Sequence, residues 1–144
     1  MSATPTEVMY ALIDGVTGKK WDDLPPLYAE DTVVEHPMNT PRATVLRGRE
    51  ALRRHFDSAR DMPMDMSAHN IVVHQTTDPE TVIGEFEYHV RPHGENTKEF
   101  VVRNIYVLTV RDGLILRSRD YADHLAFAVG MDRLTPLVEA LQRA

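Results

Sequence analysis

The clearest alternation of apolar and polar positions runs from Val101 to Asp123, VVRNIYVLTVRDGLILRSRDYAD. Strand side chains alternate between faces, so Phe100, Val102, Asn104, Tyr106, Leu108 and Val110 share one side. Arg103, Ile105, Val107, Thr109 and Arg111 share the other with Glu99 and Val101. Asp112-Gly113 between two β-rich runs is a strong hairpin signal. On the return strand Leu114, Leu116, Ser118 and Asp120 fall on one side, with Ile115, Arg117, Arg119 and Tyr121 on the other. If both strands turn their more apolar face inward, Asp120 ends an inward row. A carboxylate there is costly without a partner.

Helical periodicity dominates the earlier part of the chain. Thr4-Pro5-Thr6-Glu7 has the form of a helix start, with an N-cap threonine, an early proline and a glutamate three residues after the cap. Val8, Met9, Leu12, Ile13 and Val16 follow at helical spacing, with Tyr10 beside the stripe and Gly15 and Gly18 as the stop. A second, shorter helix is expected over Trp21 to Tyr28, with Leu24, Leu27 and Tyr28 inward and Pro25-Pro26 early or at a break. Thr32 to His36 predicts a short strand stopped by Pro37, and a loop from Asn39 leads to Gly48. A third helix follows from Arg49 to about Asp61, with Leu52, His55, Phe56 and Ala59 on one stripe. Met62, Pro63, Met64 and Met66 form a breaker and a gap-filling join. Strands are then expected over Ala68–Gln75, Thr81–Arg91, Lys98–Arg111 and Leu114–Tyr121, with turns at Thr77-Asp78-Pro79 and Pro92–Asn96. A helical turn over His124–Val129 and a terminal helix from Thr135-Pro136 close the chain. Helices first and strands after predict an α+β fold, with the helices packed on one face of a mostly antiparallel sheet.

Composition narrows the partners. The 144 residues suit one domain over residues 1–144, with 42% hydrophobic and 26% charged positions. A net charge of −6 with no basic block argues against nucleic acid or an anionic membrane surface. The chain contains no cysteine, which removes disulfide and thiolate chemistry. The N-terminal MSATPTEVMYALIDG lacks a basic segment followed by an apolar core, and no run reaches the roughly twenty apolar residues of a membrane span. The expected compartment is the cytoplasm.

YAEDTVVEHP, then GREALRRHF, then the hairpin ending LILRSRDYAD resemble, in this order and spacing, the nuclear transport factor two-like superfamily. That group includes ketosteroid isomerases, limonene epoxide hydrolases, SnoaL-type polyketide cyclases and phenazine-biosynthesis proteins. The resemblance implies a cone, with N-terminal helices on the concave face of a strongly curved sheet and an apolar pocket inside. It also implies a homodimer through the outer sheet face, on which Val101, Ile105 and Val107 are too apolar for plain solvent.

Function does not follow from fold, so residues are compared singly. Where ketosteroid isomerases carry their catalytic aspartate, this chain reads Glu35-His36-Pro37 and so offers His36. Tyr10 matches their helix-one tyrosine, and Tyr106 stands where they have an oxyanion-binding acid. Asp120 lies in Arg119-Asp120-Tyr121-Ala122-Asp123, which is similar to the segment of limonene epoxide hydrolases that holds a catalytic aspartate. Those enzymes' other two site residues have no clear match here; the nearby residues are Phe86, Glu87, Tyr88 and His89.

The expected catalytic set is therefore His36, Asp120, Tyr106 and Tyr10, with Trp21, Tyr28, Phe56, Phe86, Tyr88 and Asn104 binding substrate. A neutral imidazole suits proton removal beside a carbonyl. Tyrosine hydroxyls on an apolar wall suit a developing oxyanion. Asp120 could orient or ionise His36, or be held neutral by burial and act as an acid. Alternation turns Glu85, Glu87 and His89 outward, and neither His-x-His nor His-Glu-x-x-His occurs among seven histidines, so no metal and no cofactor are expected. The resulting expectation is a cofactor-independent isomerase, cyclase or dehydratase acting on a small, mostly apolar carbonyl or hydroxyl compound. Epoxide hydrolysis using Asp120 is one alternative, and a non-catalytic ligand-binding or dimerisation module is the other.

Overall fold

The structure, a computed structural model, describes residues 2–144. Helix α1, Pro5–Thr17, begins as its sequence demands. The Thr4 amide donates to Glu7 Oε1 at 2.9 Å and the Glu7 amide donates to Thr4 Oγ1 at 3.2 Å, closing a capping box. Val8, Met9, Leu12 and Ile13 are buried. Gly15 does not stop the helix. It lies inside α1 because Leu24 packs so closely that an added Cβ would meet Leu24 Cδ2 at 2.5 Å.

The helix expected over Trp21–Tyr28 is replaced by two 3-10 turns, Trp21–Asp23 and Pro25–Leu27, and Tyr28 already opens strand β1, Tyr28–His36. The Pro25-Pro26 pair supplies the reason, since neither residue can donate to a continuing helix. After a turn, β2 (Thr44–Arg47) pairs back on β1 within the expected loop, and α2 (Arg49–Arg60) follows. Strand β3, Met64–Gln75, starts inside the methionine join; then come β4 (Thr81–Pro92), β5 (Phe100–Arg111) and β6 (Leu114–Ala122). Helices α3 (His124–Gly130) and α4 (Leu134–Arg143) end the chain. Among the described residues no helix is long and apolar enough to cross a membrane.

The six strands lie in the order β2-β1-β6-β5-β4-β3. Every pairing is antiparallel except β1 with β6. Helix α1 packs on β3, β4 and β5, and α2 on β1, so the core lies between these helices and the inner sheet face. Gly84 permits the close approach of α1, since its missing Cβ would sit 2.7 Å from Met9 Sδ. At the β5–β6 turn Asp112 and Gly113 have φ of 53° and 76°, the left-handed pair of a type I′ hairpin.

Strict alternation fails at one point of that hairpin. Thr109 pairs with Arg117 but Val110 pairs with Ile115, so Leu116 is an extra residue, a β-bulge. Ile115 is therefore buried where outward was expected, while Ser118 and Asp120 still point inward. Thr32 serves the bulge: its buried hydroxyl donates to the Ile115 carbonyl at 2.8 Å. On β4 alternation holds, with Phe86, Tyr88 and Val90 buried and Glu85 exposed.

Candidate active site

Strand register alone brings three of the expected residues into one row. In the parallel β1–β6 pair, Val34 lies beside Ser118 and Glu35 beside Arg119, so the next residues along are His36 and Asp120. In the antiparallel β5–β6 pair, Tyr106 is the direct partner of Asp120. His36, Asp120 and Tyr106 thus run across adjacent strands on the inner face. They border a cavity of about 130 Å³.

The rest of the wall is mostly apolar. Leu12 and Val16 come from α1, and Leu52, His55, Phe56 and Ala59 from α2. Trp21 and Tyr28 reach it from the 3-10 segment and the start of β1, Trp21 stacking on Phe56 at 6.5 Å between ring centroids. Tyr88 and Met66 close the far side.

Three expectations are displaced. Tyr10 is 41% exposed and does not line the cavity, because α1 turns Leu12 and Val16 toward it instead. Tyr28 supplies a buried tyrosine there. Phe86 is buried behind the site, meeting Tyr106 and Tyr88 edge-on at 4.9 and 5.1 Å between centroids. Asn104 donates from Nδ2 to the Val102 carbonyl at 3.1 Å and faces a neighbouring chamber. Arg103 and Arg119 form no ion pair with Asp120; Arg103 lies 3.5 Å from Glu87.

Asp120, only 6% exposed, has two neighbours of consequence. Ser118 donates from Oγ to Asp120 Oδ1, and His36 Nε2 lies 3.6 Å from Oδ2. That distance would make an ion pair if both groups were charged, but burial opposes both charges. It pushes Asp120 from 3.8 up to about 7, with the Ser118 hydrogen bond working the other way. Burial first, then nearby His55 and His124, pushes His36 from 6.5 down to about 4. Around neutrality the contact is a neutral imidazole beside a carboxyl group on the point of ionising.

The tyrosines stay protonated. Burial raises Tyr28, Tyr88 and Tyr106, and a negative Asp120 raises each of them further. The Tyr88 and Tyr106 hydroxyls are close enough to influence each other, but Tyr88 Oη is buried with no partner at hydrogen-bond geometry among the described residues.

Ser118, His55 and His124 did not stand out as functional residues in the sequence. Ser118 had a signal: it lies two residues before Asp120 and so on the same face. His55 interrupts the apolar stripe of α2, and its ring lies 5.5 Å from that of His36. It is exposed as a whole residue, yet its inner edge lines the cavity and burial lowers its pKa. Water reaching the ring limits that lowering. His124 meets His36 edge-on at 6.1 Å, a contact that only the tertiary structure creates.

A curved sheet wrapped around helices, with an acid, an imidazole and tyrosine hydroxyls facing a small aromatic cavity, defines a cone of the nuclear transport factor two-like superfamily. The chain belongs to the SnoaL-like domain family, whose model matches residues 9–118. Among solved structures, a provisionally assigned isomerase from Bacillus subtilis is 22% identical, with a TM-score of 0.78 over 90% of this chain and 93% of its own. A phenazine biosynthesis-related protein from Pseudomonas aeruginosa is 19% identical, with a TM-score of 0.72 over 90% of this chain and 81% of its own. A protein of ketosteroid isomerase-like fold from Catenulispora acidiphila, solved with trimethylamine, is 19% identical, with a TM-score of 0.71 over 90% and 95%. At these identities the likeness is one of fold. No curated protein sequence matches the chain.

Proposed function

We propose that the protein is a cofactor-independent acid–base enzyme of isomerase, cyclase or dehydratase type, acting on a small, mostly apolar carbonyl or hydroxyl compound. One observation carries the reading: a buried carboxyl poised near pH 7 faces an aromatic cavity beside an unpaired tyrosine hydroxyl. In this reading Asp120, rather than His36, is the proton-transfer group. A base works best when its pKa lies near the working pH, which favours about 7 over about 4.

Ionised Asp120 takes a proton from carbon next to the substrate carbonyl. The C–H electron pair moves into a new C=C bond while the carbonyl π pair moves onto oxygen. Tyr88 or Tyr106 donates a hydrogen bond to that oxygen, on a mostly apolar wall where such a bond counts for more than in water. Protonated Asp120 then returns the proton to the same or another carbon. Ser118 holds the carboxyl through its hydrogen bond, and the neutral His36 ring lies 3.6 Å from the other oxygen. The epoxide hydrolase alternative gains no support, because no arginine and no acid other than Asp120 lines the cavity among the described residues.

The test is hydrogen exchange of small cyclic ketones in deuterium oxide, followed by mass spectrometry. Wild type is expected to accelerate exchange next to the carbonyl, with a rate rising through one ionisation near pH 7 to a plateau above it. Asp120→Asn is expected to lose at least about a hundredfold, the lower range for a positioned acid or base. Equal exchange by wild type and Asp120→Asn would remove the assignment.

A further inference from the structure

Next to the catalytic cavity lies a second chamber of about 200 Å³. Met64, Met66, Tyr88 and Tyr106 line both spaces and so form their shared boundary. The far wall belongs to α3, which contributes His124 and Phe127, with Ala122 at the end of β6. Helix α3 is held there firmly. Asp123 caps it by accepting from the Ala126 amide at 2.9 Å, the Asp123 amide donates to the Arg103 carbonyl at 3.0 Å, and Phe127 packs against Phe100. This helix lies beyond residues 9–118, the part matched by the family, whereas most of the chamber's other lining lies within it.

Two observations point to a ligand. Neither space alone reaches the roughly 300 Å³ at which pockets for small organic ligands begin, whereas the two together do. His124, one of the lining residues, also has a buried Nε2 with no hydrogen-bond partner among the described residues. Buried polar atoms in folded proteins are nearly always paired, so an unpaired one on a chamber wall marks a place for a ligand's polar atom. Burial lowers the pKa of His124, so its ring is neutral at pH 7 and suits a neutral oxygen better than a carboxylate.

We propose that the chamber under α3 is a second binding compartment, taking the apolar arm of an elongated substrate whose far end carries a neutral hydroxyl or carbonyl oxygen that pairs with His124. The substrate class is then a compound with two oxygen functions separated by hydrocarbon. The reacting carbonyl lies at Asp120 and the other oxygen lies beneath α3. The inference rests on the proposed acid–base reading for which end reacts, but the compartment itself is tested by binding alone.

Dissociation constants for cyclohexenone, its butyl derivative and its hydroxybutyl derivative would be measured by NMR titration against the full chain. Wild type should bind the butyl compound more tightly than cyclohexenone. The terminal hydroxyl should add about threefold to tenfold, the worth of one neutral hydrogen bond. His124→Leu should erase the hydroxyl's increment while keeping the butyl one. Ala122→Phe, which fills the chamber, should bring the butyl-to-cyclohexenone affinity ratio down to about one. Circular dichroism would confirm that both variants fold. The proposal is overturned if none of the ketones binds wild type, if all bind it equally, or if folded His124→Leu and Ala122→Phe both keep the wild-type ratios. A failure of deuterium exchange with these binding ratios intact would overturn the catalytic reading and leave the compartment standing.

Discussion

Asp120 shows how one buried carboxyl is tuned by opposing neighbours. Burial disfavours its charge, the Ser118 hydroxyl favours it, and His36 stays neutral because burial, and after it two nearby imidazoles, disfavour its charge. These shifts have opposite consequences for stability. Between 3.8 and about 7 the folded chain keeps on Asp120 a proton that the unfolded chain has released, so this group makes stability fall as pH rises through that window. Between about 4 and 6.5 the unfolded chain keeps on His36 a proton that the folded chain lacks, so this group makes stability rise with pH. The two slopes nearly cancel in the overlap, and the lowered His55 and His124 add to the rise. Urea midpoints measured at pH 4.5 and 6.5 should therefore separate more in Asp120→Asn than in wild type. In His36→Asn the separation should shrink or reverse. Parallel behaviour of all three chains would contradict the assigned shifts.

Among the elements, β6 does most to build the site, because it lies between β1 and β5 and carries both Ser118 and Asp120. Its bulge at Leu116 lets Ile115 enter the core without turning Asp120 outward. The Thr32 hydroxyl is fully buried at that irregularity. Thr32→Val keeps the shape and removes the hydroxyl's buried hydrogen bond to the Ile115 carbonyl. We expect a loss of about 1–3 kcal/mol in urea unfolding, the cost of removing one partner of a buried hydrogen bond; a change within about 0.5 kcal/mol would show that the bulge does not need this bond. The hairpin, the capping box and the inward phase of Asp120 were all legible in the sequence, because turn chemistry and period-two alternation are local. The bulge was not, since an extra residue in a β-rich run leaves the composition unchanged. The displacement of Tyr10 was equally hidden: beside an apolar stripe, a tyrosine can turn either way, and only the packing of α1 on the sheet decides.

At the scale of the whole molecule, the parallel β1–β6 pairing turns two distant strands into one site, and periodicity alone does not reveal it. The superfamily resemblance anticipated the cone. His124 was out of reach, because its contact with His36 depends on where α3 folds back. The outer sheet face carries its own pattern: Ile105 and Tyr121 are cross-strand partners, 45% and 37% exposed, with Val72 nearby at 50%. We propose that this face pairs two copies of the chain. Light scattering should then give a dimer for wild type and a monomer for Ile105→Arg, and a monomeric wild type would exclude it.

Everything proposed for the site depends on one property, a carboxyl on Asp120 that ionises near neutrality while the tyrosines around it remain protonated. Carbon-13 NMR of aspartate carboxyl groups, with the Asp120 signal identified by its absence in Asp120→Asn, reads that property without any substrate. The account predicts a midpoint near pH 7. A midpoint near the ordinary 3.8 would leave Asp120 a plain carboxylate at neutral pH and contradict the account.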